Sequence, residues 1–338
     1  VIVCCGPGGV GKTTVAAALA VEGARRGRRT VVVTIDPAKR LADALGLDAL
    51  TDTPGRIEGD WPGELWALML DPRSTFDGLV GTYAPDPAQA ETILGNRFYR
   101  NIAGALAGTQ EYMAMEKLFE LHVDDRFDLV VVDTPPTRNA LDFVDAPRRL
   151  TRFLDNRLFR LLMLPARGGF KALNLATQAF LRTVGRVVGA DVVADAVAFF
   201  QAFEGMEEGF RRRAQRVLEL MADPATAFVL VTAPRRDAAR EAEFFAEKLQ
   251  ESGIAVQGLV VNRMHPRFPA VAPMAGAGAL APLYRNVAEL ARMAEGQEEH
   301  VVSLAERVGT PAVRVPELET DVHDLAGLAR LSAYLFAD

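Results

Sequence analysis

The segment Gly6-Pro7-Gly8-Gly9-Val10-Gly11-Lys12-Thr13 constrains this chain most, because of what flanks it. Residues 1–5, Val-Ile-Val-Cys-Cys, form a short apolar run that reads as a buried strand. Residues 13–26 are alanine-rich and read as a helix. A glycine-rich turn between a strand and a helix lets backbone N–H groups converge on phosphate oxygens, and the helix N-terminus faces the same anions. The spacing fits G-x-x-x-x-G-K-[ST], so Gly6, Gly8, Gly9, Val10, Gly11, Lys12, Thr13 and Thr14 are the expected nucleotide-binding residues. Lys12 is expected on the β- and γ-phosphates, and the Thr13 hydroxyl on Mg²⁺.

A β-branched run at 29–34 follows the helix, so the chain opens with a strand–helix–strand unit and the sheet is at least partly parallel. Further strands are expected at 65–71, 128–132, 227–232, 254–261 and 311–315, with helices at 112–123, 238–252 and 326–336. The fold class is therefore α/β, a doubly wound and mostly parallel sheet. Residues 146–222 break this rhythm with helical periods and no convincing strand. They read as a helical insertion in an α/β domain built from 1–145 and 223–338. The Pro-, Gly- and Ala-rich stretch 268–282 reads as a mobile loop.

Composition narrows the function classes. With 338 residues, 49% of them hydrophobic, the chain can bury a sizeable core. A net charge of -6 gives no general attraction to nucleic acid. Cys4 and Cys5 are adjacent, so no disulfide framework is expected, and a reducing, cytoplasmic setting follows. They read as small core hydrophobes. His122, His265, His300 and His323 share no ligand spacing and read as surface residues. No signal pattern and no apolar run of membrane-spanning length is visible. The chain begins at Val1 inside an apolar run, so a short N-terminal extension is expected before it.

Two aspartates stand where strands should end, at Asp36-Pro37-Ala38-Lys39-Arg40 and at Asp133-Thr134-Pro135-Pro136-Thr137. Ligands of parallel sheets sit at the carboxyl ends of strands. Asp133 follows an apolar run and is expected to hold Mg²⁺ with Thr13. Asp36 is expected to orient the attacking water. The alternative for each is a turn or helix cap, since Asp before Pro is common turn chemistry.

Taken together, these segments resemble the ArsA/Get3 family of anion-transporting and tail-anchored-protein-targeting P-loop ATPases. Gly8 to Thr14 is similar to its phosphate loop. Residues 34–38, with Leu41-Ala42-Asp43-Ala44-Leu45-Gly46, are similar to its switch I, and Asp133 to Thr137 to its switch II. Asp223 to Val231 resembles the strand entered after its helical subdomain, and Val260-Val261-Asn262-Arg263 its adenine-contacting strand end. The resemblance spans nearly the whole chain in order. It implies ATP as the nucleotide, Mg²⁺-dependent hydrolysis, a nucleotide-linked homodimer and switch-coupled movement of the helical subdomain. It also implies that Asn262 binds adenine, that Pro316 lies in the last nucleotide-contacting loop, and that Asp36 positions the water.

The chain departs from that pattern in three places. The lysine that usually precedes the Gly-Gly pair is Pro7 here. The Cys-x-x-Cys zinc site and the separated metalloid-binding cysteines are absent from the sequence, so neither zinc nor an arsenite site is expected. Arg138, directly after switch II, is the favoured substitute cation for catalysis, with Lys39 and Arg40 as the other candidates. The expected insertion also carries a basic block, from Arg148 to Arg186, in which Asp155 is the one acid. Phe199, Phe203, Met206 and Phe210 recur beyond it at helical spacing. These features read either as a surface for an acidic or apolar partner, a protein client or membrane-protein partner, or for an anionic membrane face, or as a helix stripe packed on its own core with solvated arginines. Two other functions stay open: a ParA/MinD-type partition ATPase acting on DNA or membrane, and a slow nucleotide-sensing module.

Overall fold

The computed structural model describes residues 1–36, 38–102, 109–135, 140–155, 186, 189–267 and 280–337. The chain divides into two compact units: Val1–Leu70, Glu120–Leu141 and Ala222–Asp338 form the first, and Asp71–Phe119 and Asp142–Met221 the second.

The first unit is an eight-stranded sheet with flanking helices. Its strands are β1 (Ile2–Cys5), β2 (Arg29–Thr34), β3 (Gly55–Ile57), β4 (Glu64–Met69), β5 (Leu129–Asp133), β6 (Ala227–Thr232), β7 (Val256–Met264) and β8 (Ala312–Pro316). Their spatial order is β3-β4-β2-β5-β1-β6-β7-β8. Every pairing is parallel except that of β3 with β4. The expected α/β class with a mostly parallel sheet is thus what the chain adopts. The central strands are apolar on both faces, as parallel strands covered by helices must be. Val131 and Val132 of β5 and Val3 and Cys4 of β1 have no exposed surface.

Helix α1 (Lys12–Arg25) owes its alanines to close packing. Val15, Ala16, Ala17, Ala18, Ala20 and Ala24 are fully buried, and small side chains let its axis approach the sheet. Its Ala18 carbonyl accepts from Ser332 Oγ at 3.1 Å, which ties it to the closing helix Leu325–Leu335. Cys4 and Cys5 are buried free thiols, as the core reading expected, and burial pushes both thiols up.

The second unit is helical and built around aromatic rings. Helices Pro72–Tyr83, Pro87–Gly95 and Arg97–Ile102 open it, and Ala190–Gln201 and Glu207–Ala222 lie near its end. Tyr99 and Phe199 stack with centroids 5.8 Å apart, and Phe203 lies 5.0 Å from Phe199 and 5.7 Å from Phe210. Each such pair is worth about 0.5–1.5 kcal/mol beyond the area it buries. Glu116 is buried, and the half-buried Arg213 donates to it through Nε at 2.6 Å while its guanidinium covers the Phe119 ring.

For the aromatic stripe these facts decide between the two readings in favour of the packed one. Phe199, Phe203, Met206 and Phe210 are buried in the second unit's own core, so this stripe offers no exposed docking face. Of the basic block, Arg148, Arg149, Arg152 and Arg186 are exposed, and Arg157, Arg160, Arg167, Lys171 and Arg182 lie outside the described residues. The second unit also takes in 71–119, which the sequence reading gave to the α/β domain. Two Asp-Pro steps start helices there. Asp71 accepts from the amides of Arg73 and Ser74, and Asp86 from that of Gln89, with proline at the first helical position in both. Most of the stretch read as a mobile loop, 268–279, lies outside the described residues, and the helix Ala281–Val308 begins just beyond it.

Candidate functional site

The carboxyl ends of β1, β2, β5, β7 and β8 all carry residues of one cleft of about 700 Å³ in the first unit. Its walls include Gly9, Gly11, Lys12, Thr13, Thr14, Asp36, Arg40, Thr134, Asn262, Arg263 and Pro316. Two glycines of the loop after β1 sit where a side chain would collide with its neighbours. A Cβ on Gly6, at φ 137°, would stand 2.1 Å from the Val231 carbonyl oxygen of β6. One on Gly11, at φ 95°, would stand 2.3 Å from Asn262 Nδ2. Gly11 is the N-cap of α1 and supplies no side-chain acceptor, and the helix's first turn holds no acidic residue. The opening amides of α1 and the positive end of its dipole are therefore offered to an anion.

Lys12 is only 6% exposed, and its Nζ donates to the Pro7 carbonyl at 2.8 Å. Burial lowers its pKa, and the nearby Asp133 carboxylate works against that shift. The ammonium thus spans the loop from inside. Pro7 contributes a carbonyl acceptor where a lysine would have contributed charge.

Asp133 ends β5, between β1 and β2, in register with Cys4 on one side and Thr34 on the other. It has no exposed surface. The Thr34 hydroxyl donates to its Oδ2 at 2.9 Å and in turn accepts from the Asp36 amide at 3.2 Å. The other carboxylate oxygen, Oδ1, is buried without a hydrogen-bond partner. Burial pushes the carboxyl up to about 6, while the Thr13 and Thr34 hydroxyls and the Lys12 charge pull it back. A buried carboxylate with an unmatched oxygen beside a threonine hydroxyl is an all-oxygen donor set. It fits a hard divalent cation that takes one or two protein ligands and completes its shell with phosphate and water.

Asp36 lines the cleft but is also locally engaged. Its Oδ1 accepts from the Ala38 amide at 3.0 Å, and its Oδ2 lies 3.4 Å from Arg40 Nη1. Turn-capping and cleft-facing roles therefore coexist in one side chain. Lys39 is exposed; Arg138 and Pro37 lie outside the described residues.

On the opposite wall, Asn262 is 8% exposed, and its Nδ2 donates to the Val10 carbonyl at 2.9 Å. Its Oδ1 accepts from the Arg263 amide at 2.9 Å. Pro316 of β8 pairs in register with Met264 of β7, and the Glu317 amide donates to the Met264 carbonyl at 2.8 Å. Three features escaped the sequence reading: the Thr34 hydroxyl on Asp133, the Asn262 brace on the loop, and Arg263 at the cleft wall. Thr34 and Arg263 stood inside segments already singled out, but no local signal gave their side chains a task.

A family model for anion-transporting ATPases matches residues 1–271. The chain belongs to that family. Among its relatives, ATPase GET3B of Arabidopsis thaliana is 28% identical over 279 residues, which cover 77% of this chain and 63% of that protein. ATPase ASNA1 homolog 1 of Paramecium tetraurelia is 25% identical over 281 residues, covering 77% of this chain and 73% of that protein. ATPase asna-1 of Caenorhabditis elegans is 31% identical over 156 residues, covering 44% of this chain and 45% of that protein. The chain thus spans less than two thirds of the first and third of these relatives. Among the described residues, no helix is long and apolar enough to cross a membrane.

Proposed function

We propose that this chain binds Mg·ATP in the cleft of its first unit and hydrolyses it, using the cycle to move a helical partner-binding surface. One observation carries the reading: Asp133, fully buried, gives one oxygen to Thr34 and keeps the other unpartnered beside the loop that holds Lys12.

In this reading the loop amides and the first turn of α1 take the phosphate oxygens, and Lys12 moves from the Pro7 carbonyl to the β- and γ-phosphates. Thr13 and Asp133 would hold Mg²⁺, which neutralises charge on the phosphates when bound. Asn262 and Pro316 would contact the adenine. Asp36 orients the attacking water once Arg40 releases its second oxygen. Arg138 is assigned the transition-state cation that Pro7 does not supply. A nucleotide-linked homodimer, a protein or membrane-protein client engaged through 146–222, and cytoplasmic residence belong to the same proposal. The exposed Arg148, Arg149 and Arg152 and the buried free Cys4 and Cys5 support its last two parts.

A slow nucleotide sensor is the second reading, favoured by the Asp36–Arg40 contact, which occupies the water-orienting carboxylate. Single-turnover and steady-state phosphate release, with Lys12→Ala as control, test both. Mg·ATP binding without measurable turnover would leave the sensor, and no binding at all would remove the ATPase.

A further inference from the structure

Near its end, β7 carries two adjacent residues that claim consecutive carbonyls of the phosphate-binding loop. Asn262 Nδ2 donates to Val10, and Arg263 Nη1 reaches the Gly9 carbonyl at 3.4 Å. Successive side chains of a regular strand point to opposite faces, so both could not meet one loop without a break in the strand. The break is present. Arg263 has φ 60°, the one positive value for a non-glycine residue among the described residues, and the β7–β8 register shifts between Val261 and Met264. A non-glycine residue in the left-handed region is strained and persists where its surroundings or its task demand it.

The position of the guanidinium decides what that task is. Loop amides converge on phosphate, and Lys12 Nζ, held on the Pro7 carbonyl, already supplies that cradle with a cation. The Arg263 cation rests instead on the Gly9 carbonyl, on the cleft wall shared with Asn262 and Pro316. Phosphates seated at the start of α1 leave this wall to the nucleoside. The guanidinium is exposed, planar and rich in donors, and one N–H already spent on Gly9 fixes its orientation. A planar cation held in that way suits the face of a purine ring and the ribose oxygens.

We infer that Arg263 is a nucleoside-binding residue that covers the base and ribose while hinged on the Gly9 carbonyl, rather than the substitute for the cation missing at Pro7. The inference rests on the nucleotide-binding reading above. Its test is calorimetry of wild type, Arg263→Gly and Arg263→Lys with Mg·ATP and with Mg·tripolyphosphate, a probe that carries the phosphates without a nucleoside. Glycine is at home at φ 60°, so the first variant removes the side chain and relieves the backbone. Arg263→Gly should weaken ATP about tenfold or more and Arg263→Lys less. Tripolyphosphate affinity should stay within about twofold for both, with the thermal midpoint of Arg263→Gly unchanged or higher. Unchanged ATP affinity in Arg263→Gly, or equal losses for the two probes, overturns the inference. Wild type binding neither probe overturns the nucleotide reading itself, a separate failure.

Discussion

Thr34 and Asp133 sit directly opposite each other on β2 and β5, and the Thr34 hydroxyl donates to the Asp133 carboxylate at 2.9 Å. This bond orients a buried carboxylate whose other oxygen has no partner. It makes Asp133 costly to the empty protein and available to a cation.

That cost is visible as a pH dependence. Burial holds Asp133 near 6 in the fold against an ordinary value of 3.8, so the folded state binds more protons than the unfolded chain between about pH 4 and 6. Stability of the nucleotide-free protein should therefore fall as pH rises through that window and level off above it. The displacement is worth on the order of 3 kcal/mol. Asp133→Asn should be more stable than wild type at pH 7.5, lose the slope, and lose Mg²⁺-dependent turnover. Thermal melts across pH 4 to 8 check this, and an identical slope in the variant would exclude Asp133 as its source.

Lys12→Ala should abolish useful ATP affinity. The ammonium is buried in the loop and has only to leave the Pro7 carbonyl to meet phosphate. Loss of such a charge-assisted contact costs about 2 kcal/mol or more. Unchanged Mg·ATP affinity by calorimetry would remove the nucleotide assignment of the loop.

Asp36→Asn should bind ATP and fail to hydrolyse it. An amide oxygen can still accept from the Ala38 amide, so the turn survives, but it handles a water proton poorly. Turnover within about threefold of wild type, under roughly 0.7 kcal/mol in the barrier, would leave Asp36 a cap alone.

ATP should bind more tightly than GTP. Asn262 uses one N–H on the Val10 carbonyl and one lone pair on the Arg263 amide, which leaves a donor and an acceptor on the same amide for the adenine edge. Competition between the two nucleotides reads this directly, and equal affinities would refute it.

Arg138→Ala should lower turnover at saturating Mg·ATP by at least about tenfold, roughly 1.4 kcal/mol, with little change in ATP affinity. Lys39→Ala and Arg40→Ala run beside it. Arg40→Ala should instead leave turnover unchanged or higher, because it frees an oxygen of Asp36. Unchanged turnover in all three would mean that no substitute cation acts from these loops, and would favour the slow sensor.

Local signals reached some parts of the site and not others. The strand–loop–helix at Gly6 to Thr14 was legible because glycine spacing and apolar runs act over a few residues. The strands at 29–34 and 227–232 were legible because a buried parallel strand is a continuous apolar run. The Asp-Pro steps at Asp71 and Asp86 also announced helix starts.

By itself, then, the sequence determined a phosphate loop between a buried strand and a small-residue helix, and a mostly parallel sheet around it. Those features depend on neighbours along the chain. The tertiary structure decided the rest by pairing distant residues. Thr34 meets Asp133 across 99 positions, and Asn262 meets Val10 across 252. It also turned Phe199, Phe203, Met206 and Phe210 inward, which their spacing alone left open between a core and a surface. A side chain's partner, and so its task, is set by which strands adjoin and in what register, and neither is written in any local run of residues.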